Sequence, residues 1–214
     1  MNTTVHHTPE VEETIYRLDG PLRWALGEVQ GLLRTAQAAP GQRVLDVGAG
    51  TGYATIPAAR AVGPDGSVHG VDGSAPLLQV LERRAAKEGL SARVTTQVGA
   101  LAPLDVPTSS VDLVLCTYVL HELAEDAALA VAEMHRVLKP GGRVAIADYR
   151  KTPDIARNRE IEAWYARQPD GAGPDERHLR FSLEELEQML RGAGFQQVEL
   201  RTWHDFHTHA IATR

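Results

Sequence analysis

An acid and three alternate glycines, Asp46, Gly48, Gly50 and Gly52 in DVGAGTG, close a short apolar run. Glycines at this spacing let backbone N–H groups and a helix N-terminus come close to a ligand. The pattern is not the dinucleotide fingerprint G-x-G-x-x-G, because Tyr53 stands where its third glycine belongs. A carboxylate facing the loop repels a pyrophosphate and attracts an ammonium. Asp72 ends a second apolar run, SVHGVD. Its two acceptor oxygens suit the paired hydroxyls of a ribose. A ligand with an amino group at one end and a ribose at the other fits both acids, and S-adenosylmethionine has that shape.

These residues need elements to hold them. Residues 9–38 carry helical periodicity at Leu22, Leu26, Val29, Leu32 and Leu33, split by Gly20-Pro21. Strands are predicted at 43–48, 67–72, 93–99, 111–119 and 143–149, and helices at 51–62, 75–89 and 125–139. Pro140-Gly141-Gly142 is expected to stop the last of these. Strand and helix in alternation imply parallel strands covered on both faces. Beyond 150 the texture changes. Residues 153–168, with Trp164 and Tyr165, could add a helix, and 168–178 reads as a polar loop. Ser182 and Glu185 have capping-box spacing before a helix that closes on Gly192 or Gly194. QQVELRTW and DFHTHAIATR read as a hairpin. The expected fold is α/β, a three-layer α/β/α Rossmann-like sandwich. Its seven-stranded sheet is mostly parallel, with the last strand antiparallel. Residues 1–40 are expected to form a helical lid over a domain of residues 41–214, with 150–180 as an acceptor-side insert.

The chain has 214 residues, a net charge of −6 and 43% apolar residues, enough for a full core. The acidic balance argues against nucleic acid as a partner, despite a local group of Arg83, Arg84 and Lys87. No signal-peptide pattern and no membrane-spanning run is visible, so a cytoplasmic protein without a membrane partner is expected. One cysteine, Cys116, leaves no intramolecular disulfide and no cysteine-based metal site.

Several stretches in register are more specific than one glycine loop. DVGAGTGY, VDGS at 71–74, VDLVLCTYVLHEL at 111–123 and MHRVLKPGGRVAIADY at 134–149 resemble the ordered motifs of class I S-adenosylmethionine-dependent methyltransferases. The likeness is greatest to the small-molecule branch of the ubiquinone/menaquinone C-methyltransferases, the methyltransferase type 11 domain. It runs from about Arg43 to Tyr149 and continues more weakly to the C-terminal hairpin. The resemblance implies that Asp46 organises the amino group of the cofactor's methionine part, through water. Gly48, Gly50 and Gly52 would let the backbone pass beneath methionine and ribose. Asp72 would bind the ribose hydroxyls, with Gly73 and Ser74 beside the adenine and Ala100 and Leu101 at its edge. Cys116 or Thr117 would touch the methionine part. One departure stands out: the family often has an acid where this chain has Ala100, so backbone groups or Asp105 would have to meet the adenine amino group.

The same resemblance implies methyl transfer to a small-molecule acceptor, leaving S-adenosylhomocysteine. His121 follows the fourth strand, where the acceptor should approach. A histidine there could take up a proton during transfer, or simply close the loop on backbone. Asp148 and Tyr149 end the fifth strand, and Tyr149 could shape the acceptor pocket or only pack. Tyr16, Arg17 and Trp24 lie in the expected lid. Asp205, His207 and His209 share a strand face. Exposed polar positions are favoured there over a metal site, and no metal is expected. Cys116 reads as a buried small residue, and a single cysteine speaks against arsenite as acceptor. Two alternatives stay open: a relative that binds the cofactor without methylating, and a nicotinamide-dependent oxidoreductase. Tyr53 and the final hairpin disfavour the second.

Overall fold

A computed structural model describes residues 8–18, 28–151, 181–203 and 207–214, with scattered positions from 154 to 163. The chain forms α1 (Pro9–Leu18), α2 (Glu28–Thr35), β1 (Arg43–Val47), α3 (Thr55–Ala61), β2 (Ser67–Asp72), α4 (Ala75–Lys87), β3 (Val94–Val98) and β4 (Val111–Thr117). After these come α5 (Leu120–Leu123), a 3-10 turn at Ala124–Asp126, α6 (Ala127–Val137), β5 (Leu138–Tyr149), α7 (Leu183–Gly192), β6 (Gln196–Trp203) and β7 (His207–Thr213). The strands make one sheet in the order β3-β2-β1-β4-β5-β7-β6. β1 to β5 pair in parallel, while β7 runs antiparallel to both of its neighbours. Seven strands with one reversed is the architecture expected from the sequence.

Strands buried on both faces read as continuous apolar runs, and VLDV and VDLVLC do so because helices cover each side. On one face Val44, Leu113, Leu115, Ala145, Ala147 and Ile211 pack against Leu32, Leu33, Ile56, Leu78 and Leu81 of α2, α3 and α4. On the other, Leu45, Val47, Val114, Cys116, Ile146 and Ala210 meet Val131, Met134, Leu186 and Leu190 of α6 and α7. The strand order reverses direction between β1 and β4. A crevice at the carboxyl ends of the strands beside such a reversal is where open α/β sheets bind ligands.

Element boundaries depart furthest from expectation in two places. The helix expected over 51–62 begins only at Thr55. Gly50 and Gly52 hold φ of +50° and +97°, and Ala54 supplies no side-chain cap, so the loop stays open for a full turn longer. The helix expected to reach 139 ends at Val137, and Leu138 already opens β5. Pro140-Gly141-Gly142 therefore lies inside the early part of β5, where pairing with β4 breaks register between Val111 and Leu113. That interruption accommodates a proline without a lost ladder bond. Ser182 and Glu185 form the capping box, each side chain bonding the other's backbone N–H. The expected helix over 153–168 and the loop over 168–178 fall mostly outside the described residues. The lid residue Trp24 and the side chains of Tyr16 and Arg17 do so too.

Candidate functional site

Asp46 is the fourth residue of β1 and is 1% exposed. Its Oδ2 accepts a hydrogen bond from Thr55 Oγ1 at 2.5 Å, while its buried Oδ1 has no hydrogen-bond partner. Burial pushes the carboxyl up from 3.8 to about 7, against the Thr55 hydroxyl and with the help of the nearby Asp72 charge. An unmatched acceptor atom beneath a glycine loop is what an ammonium would satisfy. The loop above it is fixed sterically. Gly48 has φ +72°, and a Cβ there would lie 2.2 Å from Val119 Cγ2. A Cβ on Gly52 would lie 2.6 Å from Leu81 Cδ1. Around Gly50, with φ +50°, the nearest atom is Leu18 Cδ1 at 3.8 Å. The outer glycines are thus held by packing, and the middle one by its backbone conformation. Gly48→Ala is expected to cost roughly 2–3 kcal/mol in urea unfolding, through strain and overpacking together. In a Val119→Ala background most of the overpacking share should return. An unchanged midpoint in Gly48→Ala would refute the close contact.

Asp72 ends β2 beside the loop. Its Oδ2 accepts from Gly50 N–H and its Oδ1 from Ser74 N–H, both at 2.8 Å. Each oxygen keeps a second lone pair, which leaves room for two hydroxyl donors. Ser74 in turn caps α4 through Leu77 N–H. The N–H groups of Gly48 and Ala49 donate to Val71 O at 2.8 and 3.1 Å, so the loop is stitched to the end of β2. Arg84 donates to Thr51 O at 3.0 Å and so belongs to the same scaffold. A Cβ on Gly73 would meet nothing within 4 Å, so that side is open. Ala100 is exposed and Leu101 half-buried, both on the segment that follows β3. Asp105 accepts from Gln97 Nε2 at 3.3 Å. Thr117 is buried at the end of β4, and Cys116 is fully buried with its thiol pushed well up by desolvation.

His121 and Tyr149 come together at the carboxyl ends of β4 and β5. The His121 ring is 4% exposed, its Nδ1 is 2.6 Å from Asp148 Oδ1, and its Nε2 is 3.5 Å from Glu122 Oε1. The His121 N–H also donates to Asp148 Oδ2 at 3.2 Å. Burial alone would lower the imidazole pKa. The Asp148 hydrogen bond and then Glu122 overcome it, and the value rises from 6.5 to about 9. The ring is therefore protonated at neutral pH. Tyr149 lies edge-on to His121 with centroids 5.2 Å apart and 4.9 Å from Tyr118, which lies 6.3 Å from Tyr53. Tyr118 follows β4 directly at φ +59°, a left-handed conformation that costs a bulky residue energy.

The C-terminal strand corrects one expectation. His207 and His209 are not exposed polar positions but are 5% and 6% exposed. The cause is the strand order: β7 sits between β5 and β6, placing His207 opposite Tyr149 and His209 opposite Ala147. Both histidines meet Glu28, which spacing along the strand could not show. Asp205 falls outside the described residues. Among the described residues no group of three or more His, Cys, Asp or Glu is arranged to hold a metal, and no helix is long and apolar enough to cross a membrane. Sequence reasoning missed Glu28 and Tyr118. An acid opening a helix usually serves the helix dipole, and a tyrosine after a strand reads as packing.

A family model described as a methyltransferase domain matches residues 44–142. The chain is 34% identical over 170 residues to the arsenite methyltransferase of Halobacterium salinarum, covering 77% of this chain and 40% of that one. It is 30% identical over 196 residues to the demethylmenaquinone methyltransferase of Geobacillus stearothermophilus, covering 85% and 81%. The crystal structure of an S-adenosylmethionine-dependent methyltransferase from Aquifex aeolicus superimposes with a TM-score of 0.75 at 25% identity, over 94% of this chain and 96% of the other. With the reversed β7, the glycine loop under β1 and the acid ending β2, these matches lead to one conclusion: the chain belongs to the class I S-adenosylmethionine-dependent methyltransferases.

Proposed function

We propose that this methyltransferase acts on a small planar acceptor with an ionisable hydroxyl, of the phenol or hydroquinone kind. The observation that carries the reading is the ring cluster of Tyr53, Tyr118, Tyr149 and His207 beside the His121–Asp148 pair. Flat aromatic walls select a flat partner by stacking and edge contacts. A proton-holding pair next to them suits an acceptor whose oxygen gives up a proton. The 81% of the Geobacillus enzyme that the chain spans supports the same class. Arsenite fits poorly, because trivalent arsenic seeks several thiolates and Cys116 is the sole cysteine, buried among apolar side chains.

When bound, S-adenosylmethionine supplies an electrophilic methyl on a sulfonium. The residues fit it. Asp46 Oδ1 would meet the amino group, Asp72 the ribose hydroxyls, Gly73, Ser74, Ala100 and Leu101 the adenine, and Thr117 the methionine part. Gly48, Gly50 and Gly52 would let the backbone pass beneath methionine and ribose. The protein's part is then to align acceptor and methyl, exclude water, and hold or accept a proton at His121. The buried His121–Asp148 pair supports a methylating enzyme over a binder only if the proton it holds takes part in transfer.

The test is transfer of labelled methyl from S-adenosylmethionine to a panel of phenols, hydroquinones, amines, thiols and arsenite, with Asp72→Ala alongside. Label should enter a hydroxyaromatic acceptor and no other class. Asp72→Ala should weaken S-adenosylhomocysteine binding at least ~30-fold, the loss of about 2 kcal/mol of charge-assisted hydrogen bonds. Preferred labelling of arsenite or an amine would defeat the acceptor assignment, and full binding by the variant would defeat the ribose role.

A further inference from the structure

Glu28 opens α2 yet is only 1% exposed, and its carboxylate gathers partners from two distant parts of the chain. Oε1 is 2.9 Å from His209 Nε2 and 3.6 Å from His207 Nδ1 on β7. Oε2 accepts the hydrogen bond of the Tyr118 hydroxyl, which also lies 3.3 Å from His207 Nδ1. We propose that Glu28 is a positioning residue of the acceptor site, fixing the Tyr118 ring and through it the aromatic wall against which the acceptor lies. This rests on the acceptor reading given above.

Three features carry it. A buried carboxylate is a poor way to gain stability, since an apolar group of the same volume often does as well. The side-chain partners of Glu28 are also none of the residues assigned to the cofactor: they are Tyr118, just after β4, and His207 and His209 of β7. Finally, Tyr118 is held in a left-handed conformation, its N–H bonded to Ala147 O at 2.7 Å and its hydroxyl to Glu28. Backbone and ring tip are thus both fixed, and the ring meets Tyr149, Tyr53 and His207 at 4.9, 6.3 and 5.3 Å. Strain maintained by such over-determination clusters at functional sites.

Glu28→Gln and Tyr118→Phe, singly and combined, provide the test on the full chain saturated with S-adenosylhomocysteine. Tyrosine ring signals are read by NMR, Tyr118 being identified by its loss in Tyr118→Phe. In Glu28→Gln the Tyr118 signals should move, and its phenol should ionise at lower pH, because a neighbouring negative charge is gone. The amides of Gly48, Gly50 and Gly52 should stay in place, and S-adenosylhomocysteine affinity should hold within ~3-fold. KM for the best hydroxyaromatic acceptor should rise at least ~10-fold in each single variant and no further in the double. An unmoved Tyr118, or loop amides that shift as far as the ring, would overturn the proposal. So would zinc binding to the wild type that Glu28→Gln abolishes, which would make the cluster an ion site. The ring signals need no turnover, so they decide the matter even where the acceptor panel stays silent.

Discussion

Asp46→Asn is expected to gain stability at pH 8 and to lose the cofactor. The carboxyl sits in the core with one oxygen unmatched, and burial raises its pKa from 3.8 to about 7. The sign follows from proton counting. Between those values the folded state binds a proton that the unfolded state has released, so stability is full below 3.8 and declines as pH rises through about 7. At pH 8 the ionised group costs on the order of 4 kcal/mol as an upper bound. If half of that is recovered in the neutral amide, the melting temperature rises by roughly 5 °C. The advantage should shrink steadily below pH 7 and vanish only well below 3.8, where the wild-type carboxyl is neutral in both states. Asparagine can still accept from Thr55, but it presents an amide N–H₂ where Oδ1 now lies and would repel an ammonium. S-adenosylhomocysteine binding should therefore fall at least ~100-fold. In the wild type, binding at pH 6 should release close to one proton, read by calorimetry in buffers of different ionisation enthalpy. A residue that merely caps Thr55 would show neither proton release nor loss of affinity in the variant.

Why such a residue was readable from the chain, and Glu28 was not, is a matter of distance along the sequence. The glycine loop, Asp46 and Asp72 are each tied to a strand end, and strand ends are marked by local apolar runs and turn glycines. Once the alternation of elements is known, parallel topology brings those ends together. His121 and Asp148 were singled out on the same grounds, each following an apolar run. Their contact is a consequence of β4 lying beside β5, with Thr117 opposite Ala147. The Glu28 cluster has no such local mark. It exists because β7 is inserted beside β5 and α2 packs on that same face, an arrangement of residues 28, 118, 207 and 209 that no periodicity encodes. The alternation in HTHAI is visible, yet it reads as exposed polar positions on a terminal strand, because the sequence does not show which helix packs on that face. The delayed start of α3 also escaped pattern reading. At Gly48 and Gly52 the demand for glycine is tertiary, since Val119 and Leu81 leave no room for a Cβ.

The two faces of β5 now carry different work. Tyr149 and the Glu28 cluster lie on the α2 side. Asp148 points to the opposite side and holds His121. Removing that hold should have the second large effect. In Asp148→Asn the His121 pKa should fall from about 9 toward or below its ordinary 6.5, because the carboxylate that outweighs burial is gone. A histidine raised in the folded state contributes stability that is complete below 6.5 and is lost as pH rises through about 9. Wild-type protein should therefore lose on the order of 3 kcal/mol between pH 6 and pH 10 from this group, and Asp148→Asn should lose almost none. At pH 6 the variant should be the less stable by a similar amount. Methyl transfer tests the role of the proton. A protonated ring cannot accept another, so the wild-type rate should climb with pH toward a limb near 9. In Asp148→Asn the limb should move down by two pH units or more while the plateau falls, since the weaker base is also less well oriented. His121→Asn should remove the limb altogether. A rate that ignores pH from 6 to 9 in the wild type would leave the pair as a structural clasp and would assign catalysis to alignment alone.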